Sequence, residues 1–309
     1  MQIALLGANG FIGRNLAASL AAHASWRVSA FTRHDRYPLA DMPETIVHES
    51  LDLTDAIGVR ARDWSRFDTI IWAASATKPA DQRRGFEFEA VTNLHNLGVL
   101  IDTLVATNYA GLFVLFSSGG TVYGAPHDRT PITEATPLEP IGIYGWGKAA
   151  AESMLRAARH TGRFDFIIVR PSNPVGRWQS LSRNQGLIPA ALRCVLEGTT
   201  LPVFGDGGVV RDYLDVSDLS AALARLLATP AARNLAVNIG SGQGKTINDV
   251  LAEIERTIGK DVRRTYAPIR PFDIPWTVLD TTLLKRLTGG VPATNLHKPI
   301  SDLWAELNG

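Results

Sequence analysis

The first feature of the chain is an apolar run followed by a glycine-rich turn and a helix-type segment. Gln2–Leu6 has the composition of a buried strand, and the pattern G-x-x-G-x-x-G follows at Gly7, Gly10 and Gly13. Glycines at this place let a backbone approach a diphosphate at a helix N-terminus. Ala8 makes the spacing differ from G-x-G-x-x-G, and a tight turn without a ligand is the alternative. The position of the turn at the start of an alternating chain favours a dinucleotide site.

Short apolar runs alternate with helix-type segments through the first half of the chain. Continuous apolar runs separated by helices favour a parallel sheet covered on both faces. We therefore predict an α/β fold with a doubly wound parallel sheet of the Rossmann type. After the first strand, the predicted strands are Val28–Phe31, Ile46–His48, Asp68–Ala74, Leu112–Ser117 and Phe166–Arg170, and the predicted helices are Gly13–Ala22, Phe88–Thr107 and Trp146–Arg159.

Beyond Arg170 the spacing becomes irregular and proline and glycine become more frequent, as in P-S-N-P at 171–174. This change predicts two units, a dinucleotide-binding domain over 1–170 and a smaller substrate lobe over 171–309. Some segments of the second unit, Leu235–Ile239 among them, are expected to return to the main sheet.

Composition narrows the class of protein. The 309 residues carry a formal net charge of +1 without a basic run, so neither nucleic acid nor a membrane surface is an expected partner. Cys194 is the only cysteine, which excludes an intrachain disulfide and fits a reducing compartment. No apolar stretch is long enough to span a bilayer, and we expect a cytoplasmic protein. The spacing of His95, His127 and His160 is not typical of metal ligands, so no metal is expected.

Tyr144 and Lys148 form the pattern Y-x-x-x-K, which occurs once in the chain. On a helix, residues four apart share one face, with Cβ atoms about 6 Å apart. A phenol with a pKa of about 10 is a poor base at neutral pH, and lowering that pKa by three units takes about 4 kcal/mol. A neighbouring ammonium and an oxidised nicotinamide both favour the phenolate. The alternative is that Tyr144 packs in the core and Lys148 is a solvated helix residue.

The glycine turn, the hydroxyls after the fifth strand and the downstream Tyr144 and Lys148 together resemble the extended short-chain dehydrogenase/reductase family. The resemblance is to its nucleotide-sugar epimerase/dehydratase branch and covers nearly the whole chain. Later motifs belong to it in order: R-P-S-N-P-V-G at 170–176, V-R-D-Y-L-D-V at 210–216, N-I-G-S-G at 238–242 and R-P-F-D at 270–273.

The resemblance implies a cycle of hydride transfer on a nucleoside-diphosphate sugar. Tyr144 would remove the proton from a sugar hydroxyl, and Lys148 would hold the nicotinamide ribose and lower the pKa of the tyrosine. Asn173 and Arg211 match positions that hold the substrate diphosphate, and Arg270 is a further candidate substrate ligand. A guanidinium suits phosphate oxygens, although Arg211 could equally form a salt bridge between the lobes.

The resemblance also implies a set of cofactor ligands. Asp52 and Leu53 match the pair that meets the adenine, and Ala73 and Ala74 would line the cofactor path. Asn93 is either a polar residue near this path or a satisfied helix residue. With Tyr144 and Lys148, the remaining expected ligands are Gly7, Asn9, Gly10, Phe11, Ile12, Gly13, Thr32 and Arg33.

The loop after the fifth strand departs from the family pattern. The family carries a catalytic Ser or Thr where this chain has Gly119, which has no side-chain hydroxyl. Ser118 or Thr121 would then supply the hydroxyl, with Thr121 favoured slightly. Dehydratases place an acid pair where this chain has Gly120 and Thr121, so dehydration is not expected.

The end of the second strand bears on the choice of cofactor. An acidic residue there binds the adenosine ribose hydroxyls of NAD, and a nearby arginine accommodates the 2′-phosphate of NADP. This chain has Thr32 and Arg33 at the place, so we expect NADP to be preferred over NAD.

These observations predict a nucleotide-sugar 4-epimerase that acts through a 4-keto intermediate. The alternatives are an NADPH-dependent reductase of a 4-keto nucleotide sugar and a dinucleotide-binding sensor without catalysis. The resemblance also implies a homodimer, in which helices like Phe88–Thr107 and Trp146–Arg159 pair across a two-fold axis.

Overall fold

A computed structural model describes residues 1–33, 43, 45–79, 85–126, 128–180, 186–270, 273–292 and 295–308. Within these residues, seven parallel strands form one sheet: β1 (Gln2–Leu6), β2 (Arg27–Thr32), β3 (Ile46–Ser50), β4 (Thr69–Trp72), β5 (Leu112–Phe116), β6 (Asp165–Pro171) and β10 (Leu235–Ile239). Their order in the sheet is β10-β6-β5-β4-β1-β2-β3, with helices on both faces. The predicted doubly wound fold is therefore confirmed.

Helices cover the sheet because each presents an apolar stripe to it. On one face of the sheet, the side chains of Leu16, Leu20 and Leu223 are completely buried. On the other face, the side chains of Leu100 and Leu155 are completely buried. Full burial of each such side chain contributes about 1.5–3 kcal/mol. The helices of these two faces are α1 (Phe11–Ala21), α2 (Ala56–Ala61), α4 (His95–Ala106), α5 (Ile143–Ala158), α7 (Val216–Leu227) and α9 (Thr282–Thr288), and the short helix α3 (Gly85–Glu89) precedes α4.

A second group of elements has its own apolar core, which includes Val175, Leu192, Leu251 and Ile300. Its elements are β7 (Asn173–Val175), β8 (Leu201–Phe204), β9 (Val210–Asp215), β11 (Gly244–Thr246), β12 (Arg264–Ala267), β13 (Trp276–Thr277), α6 (Leu187–Glu197), α8 (Ile247–Ile258) and α10 (His297–Asn308). One sheet has four strands, in which β9 pairs with β11, β13 and β7, and a second sheet consists of β8 and β12. The division of the chain at residue 170 stays a prediction.

Two differences from the predicted helices bear on the site. The predicted helix Phe88–Thr107 is interrupted by a π-helical turn, Ala90–Leu94, which separates α3 from α4. A π turn inserts one extra residue into the helical ladder and so rotates the preceding turn relative to the following one. Helix α5 begins at Ile143, before the predicted start at Trp146, and this places Tyr144 in its first turn.

The parallel strands end at one edge of the sheet, where ligands of doubly wound sheets bind. The loop after β5 stays close to the loop after β6, since Gly119 N donates to the carbonyl oxygen of Pro171 (2.8 Å). Ser172 N in turn donates to the carbonyl oxygen of Ile239 (2.9 Å). Among the described helices, none has the length and apolarity needed to cross a membrane.

Candidate active site

The glycine turn after β1 is built by close backbone approach. Gly7 has φ +87°, and a Cβ there would lie 2.6 Å from the backbone nitrogen of Ala74. A Cβ on Gly13 would collide with the backbone of Gly7 and Ala8. Gly7 and Gly13 are therefore required by the fold itself. This contact also places Ala73 and Ala74, which follow β4, directly against the turn.

The N-terminus of α1 is open to a ligand on this turn. Gly10 is the N-cap residue, and no side chain of the described residues caps the helix there. The first turn, which holds Phe11 and Ile12, keeps the backbone N–H groups that bind phosphate oxygens at helix N-termini. Asn9 lies beside the turn, and its Oδ1 accepts a hydrogen bond from Arg14 Nη2 (2.8 Å). The geometry fits a diphosphate.

Thr32 and Arg33, at the end of β2, differ in their surroundings. Thr32 is buried, and its Oγ1 lies 2.7 Å from His48 Nε2 on the neighbouring β3. Its hydroxyl is therefore engaged within the sheet. Arg33 is exposed.

Asp52 and Leu53 follow β3 at the same edge of the sheet. The carboxylate of Asp52 accepts hydrogen bonds from the backbone nitrogen and the hydroxyl of Thr54, both at 2.9 Å. Leu53 is partly buried against the apolar face that α4 covers. Their expected contact with an adenine stays a prediction.

Asn93, in the π turn, ties the loop after β4 to the helices. Its Oδ1 accepts from Ala76 N (2.8 Å), and its Nδ2 donates to Thr77 Oγ1 (2.9 Å) and to Glu89 Oε2 (3.0 Å). The side chain of Asn93 is thus a bridge inside the protein. Sequence reasoning missed Glu89, a carboxylate that is only 1% exposed.

Tyr144 and Lys148 lie on one face of α5, at the end of β5. Lys148 is buried, and its Nζ donates to the carbonyl oxygen of Phe116 (3.0 Å), the last residue of that strand. The same Nζ lies 5.5 Å from the centroid of the Tyr144 ring. The strand end therefore fixes the ammonium, and the ammonium lies beside the phenol.

Burial and two carboxylates set the pKa values of these two residues. Burial, with Glu89 as the second cause, raises the pKa of Tyr144 above its ordinary value, because burial disfavours the phenolate and Glu89 repels it. Burial lowers the pKa of Lys148 to about 8, although Glu89 and Glu152 oppose the change. The lowering of the tyrosine pKa that we expect from Lys148 together with an oxidised nicotinamide stays a prediction.

Gly119 occupies the slot where the family carries a hydroxyl, and the structure explains why it is glycine. A Cβ there would lie 2.6 Å from Leu279 Cδ1 and 3.0 Å from the carbonyl oxygen of Arg170. A serine at this position would have to displace Leu279, which is completely buried.

Thr121 lies next to α5. Its Oγ1 is buried and has no hydrogen-bond partner among the residues that the structure describes. A Cβ on Gly145, the residue after Tyr144, would lie 2.5 Å from the carbonyl oxygen of Thr121. Ser118 begins the same turn, where its carbonyl oxygen accepts from Thr121 N (3.3 Å). A buried hydroxyl without a partner costs about 1–3 kcal/mol, and a bound water or ligand can supply the partner.

Asn173 and Arg211 lie on the paired strands β7 and β9. Asn173 Nδ2 donates to the carbonyl oxygen of Asp212 (2.9 Å), and its amide faces Gly120, where a Cβ would lie 3.7 Å from Oδ1. Burial lowers the pKa of Arg211, and Arg270 adds repulsion. The structure thus brings Asn173 to the loop after β5, and Arg211 lies on β9 two residues before Tyr213, the register partner of Asn173.

Arg270 is held differently from Arg211. Its guanidinium forms a two-point ion pair with Asp273, at 2.9 and 2.7 Å, and lies 4.4 Å from the centroid of the Phe204 ring. The role of Arg270 toward substrate stays a prediction, and residues 271–272 of its motif lie outside the described residues.

A buried ion pair connects β6 with α5, the helix that carries Tyr144 and Lys148. Arg170 on β6 donates to both carboxylate oxygens of Glu152 on α5, at 2.9 and 2.5 Å, and both side chains are at most 3% exposed. Glu152 Oε1 also accepts from Ser117 (2.5 Å), and Arg170 Nη1 donates to Tyr123 OH (2.8 Å). Sequence reasoning missed this network, because a charged residue in an amphipathic helix is ordinarily exposed.

In the part of the chain that the structure describes, no group of three or more His, Cys, Asp or Glu side chains could hold a metal ion. His127 lies outside that part.

Comparison with known proteins agrees with this geometry. The model of the NAD-dependent epimerase/dehydratase family matches residues 3–240. A UDP-glucose 4-epimerase of Azospirillum brasilense is 33% identical over 240 residues, which are 72% of this chain and 66% of that protein. The chain spans between about half and two thirds of the length of the curated relatives it matches first.

Solved structures share the fold over the full chain. A UDP-glucose 4-epimerase of Thermotoga maritima with UDP-glucose superposes with a TM-score of 0.89 at 24% identity, covering 100% of this chain and 99% of that one. A UDP-glucose 4-epimerase of Thermus thermophilus in complex with NAD gives 0.85 at 25% identity, with 100% and 99% covered. The preference for NADP that we expected finds no support among these proteins.

Proposed function

The chain belongs to the NAD-dependent epimerase/dehydratase family, and from that premise we propose that it is a nucleotide-sugar 4-epimerase. One observation carries the proposal furthest. The Tyr144–Lys148 pair is fixed at the carboxyl end of β5 by the bond from Lys148 to Phe116. The glycine turn and Thr121 lie at the same edge of the sheet. This edge therefore combines a diphosphate cradle with a candidate base and a hydroxyl donor.

The residues present fit a nicotinamide dinucleotide. Gly7, Gly10 and Gly13 leave the backbone at the N-terminus of α1 accessible, and side chains at Gly7 and Gly13 would clash with the fold. Ala73 and Ala74 form the adjoining wall. When bound, the nicotinamide supplies a reversible acceptor of hydride, which the oxidation of a sugar alcohol and its reversal require.

Tyr144 acts as the base that takes the proton of the sugar hydroxyl, and it returns a proton when the ketone is reduced. Because burial and Glu89 raise its pKa, the phenol holds its proton at neutral pH unless positive charge is brought close. Lys148 supplies part of that charge, in a position set by Phe116 rather than by solvent. A fixed ammonium needs little reorganisation during the reaction.

Thr121 supplies the hydroxyl that the glycine at 119 lacks. Its unpartnered Oγ1 can donate to the sugar oxygen, where negative charge develops as the proton leaves. Asn173 and Arg211 bind the substrate diphosphate on the other side of the loop after β5. Burial of Arg211 strengthens its attraction for an anion, because the effective dielectric constant there is lower than in water.

Incubation with nucleotide sugars tests the proposed function. We expect UDP-glucose or UDP-N-acetylglucosamine to be converted to its C4 epimer without added reductant. Turnover of a 4-keto sugar alone, and only with NADPH, would indicate the reductase instead. Binding of the dinucleotide without turnover of either substrate would indicate a sensor.

The variant Thr121→Val tests the assignment of the hydroxyl. We expect kcat to fall about ten- to a hundredfold, the value of one hydrogen bond to a group that becomes charged. The free energy of unfolding should stay equal or rise by up to about 1 kcal/mol, because valine removes an unsatisfied buried hydroxyl. Kinetics and urea denaturation measure both. The matched control Ser118→Ala should retain kcat, and a larger loss in that variant would assign the role to Ser118.

We propose NAD as the cofactor, since the epimerase/dehydratase family to which the chain belongs is NAD-dependent. The Thr32 hydroxyl, which lies where NADP was expected to be recognised, is already engaged by His48. Fluorescence titration should give a lower dissociation constant for NAD than for NADP, in the wild type and in Arg33→Ala alike. If the wild type bound NADP more tightly than NAD and Arg33→Ala lost this preference, the preference for NADP that the sequence predicted would be right.

We also propose a homodimer formed through α3, the π turn and α5. Phe86 and Val91 are 58% and 60% exposed on this surface, and the Phe86 ring packs edge-on against Trp146. Exposed aromatic and aliphatic side chains of this kind are typical of interfaces. A monomeric mass in light scattering would reject the dimer. The cytoplasmic location stays a prediction from the sequence.

A further inference from the structure

Glu89 is a buried carboxylate that transfers no proton and binds no ligand in the mechanism above. It ends α3, is 1% exposed, and accepts two hydrogen bonds on Oε2, from Thr77 Oγ1 (2.6 Å) and from Asn93 Nδ2 (3.0 Å). These donors belong to the loop after β4 and to the π turn. A buried carboxylate held by two neutral donors needs nearby positive charge to compensate its loss of hydration.

The other carboxylate oxygen of Glu89 faces the catalytic helix. A Cβ on Gly147 would collide with Oε1, so α5 can approach Glu89 only because residue 147 is glycine. Gly147 stands between Tyr144 and Lys148 in sequence, directly before the lysine. The carboxylate therefore lies against the turn of α5 that carries the Tyr144–Lys148 pair.

Other charged groups around the pair are either neutralised or exposed. Glu152 is buried on α5, but its carboxylate is paired with Arg170 from β6. On the helices packed against α5, the other titratable side chains that the structure describes are exposed: Glu87 on α3, and His95 and Asp102 on α4. Lys78 follows Thr77 in the loop after β4. Among the described carboxylates of α3, α4 and α5, Glu89 is the one that is buried, forms no ion pair and lies against the turn of Tyr144 and Lys148.

We propose that Glu89 is a positioning residue for the Tyr144–Lys148 pair: Thr77 and Asn93 hold its carboxylate against Gly147, where its charge stabilises the buried ammonium of Lys148 and opposes ionisation of Tyr144. It acts through the pair and touches neither substrate nor cofactor. The consequence is a coupling between the loop after β4, which lies on the glycine turn, and the protonation of the catalytic helix. The kinetic part of the proposal rests on the proposed function.

The variant Glu89→Gln tests the proposal, because the amide keeps the shape and an acceptor for Thr77 but removes the charge. Without the carboxylate, both Lys148 and Tyr144 should lose their protons more readily. We expect both limbs of the profile of kcat/KM against pH to move to lower pH by about one unit. An activity that falls at every pH with unmoved limbs would show a structural role and overturn the proposal.

A second measurement does not depend on turnover. In protein labelled with ¹³C at lysine Cε, the signal lost in Lys148→Arg identifies Lys148, whose pKa is lowered to about 8 by burial. Glu89→Gln should lower that pKa by about a further unit, and an unchanged pKa would overturn the proposal. If the wild type epimerises no nucleotide sugar, the proposed function fails, while this titration still decides the role of Glu89.

Two further variants complete the test. Glu87→Gln removes a carboxylate of the same helix that is exposed, and it should leave the profile and the lysine titration as in the wild type. Equal shifts in Glu87→Gln and Glu89→Gln would overturn the proposal, because they would show a general effect of surface charge. Should Glu89→Gln not fold, Glu89→Asp draws the carboxylate back by one methylene and should shift the lysine pKa in the same direction by less.

Discussion

Replacing Tyr144 by phenylalanine is expected to lower kcat for epimerisation by about a hundred- to ten-thousandfold. This is the range that a positioned general base contributes, and phenylalanine removes the proton acceptor while keeping the ring. The ring keeps its place 5.5 Å from Lys148 Nζ, and the bond from Lys148 to Phe116 does not involve the phenol. Binding of the nucleotide sugar, measured by calorimetry, should therefore change little.

The matched control is Tyr266→Phe, which removes the hydroxyl of a tyrosine that is 56% exposed on β12. That variant should keep the wild-type kcat. If Tyr144→Phe retained more than about a tenth of the wild-type kcat, the proposed role of the phenol would be wrong. The measurement should be made at several pH values, because the raised pKa of Tyr144 makes the rate depend on pH.

Replacing Arg170 by methionine is expected to lower the free energy of unfolding by about 3–5 kcal/mol. The variant leaves the carboxylate of Glu152 buried without its cation, and breaking one side of a buried ion pair has this effect. It also removes the hydrogen bond that Tyr123 OH accepts from Arg170 Nη1. Equilibrium unfolding in urea measures the change.

Arg159→Met is the matched control, because its ion pair joins the same two elements. Arg159 follows α5 and lies 3.5 Å from Asp165 at the start of β6, and both side chains are 42% exposed. An exposed pair contributes at most about 1 kcal/mol, so this variant should stay close to the wild type. If both substitutions lowered the free energy of unfolding equally, the burial of Glu152 and Arg170 would not be the cause of the loss.

The local pattern of the sequence determined the main sheet and the first part of the site. Continuous apolar runs predicted strands β1 to β6 at nearly their observed places, because a strand covered on both faces must be apolar at successive positions. The glycines at 7, 10 and 13 predicted the turn, since the backbone contacts made there leave no room for Cβ atoms at the first and last of them. The spacing of Tyr144 and Lys148 predicted a shared helix face, which the periodicity of an α-helix fixes.

Tertiary structure alone decided the electrostatics of the site and the position of its hydroxyl. Leu279 leaves no room for a serine or threonine side chain at position 119, and the direction of the Tyr144 pKa is set by burial and by Glu89. From the sequence, Glu89 would be expected to be an exposed helix residue. In the structure it is buried, because Asn93 of the π turn binds its carboxylate and Gly147 leaves room for it against α5. A pattern of neighbours in sequence encodes local geometry, whereas the energy of a charge or a side chain at one point depends on every group packed around it.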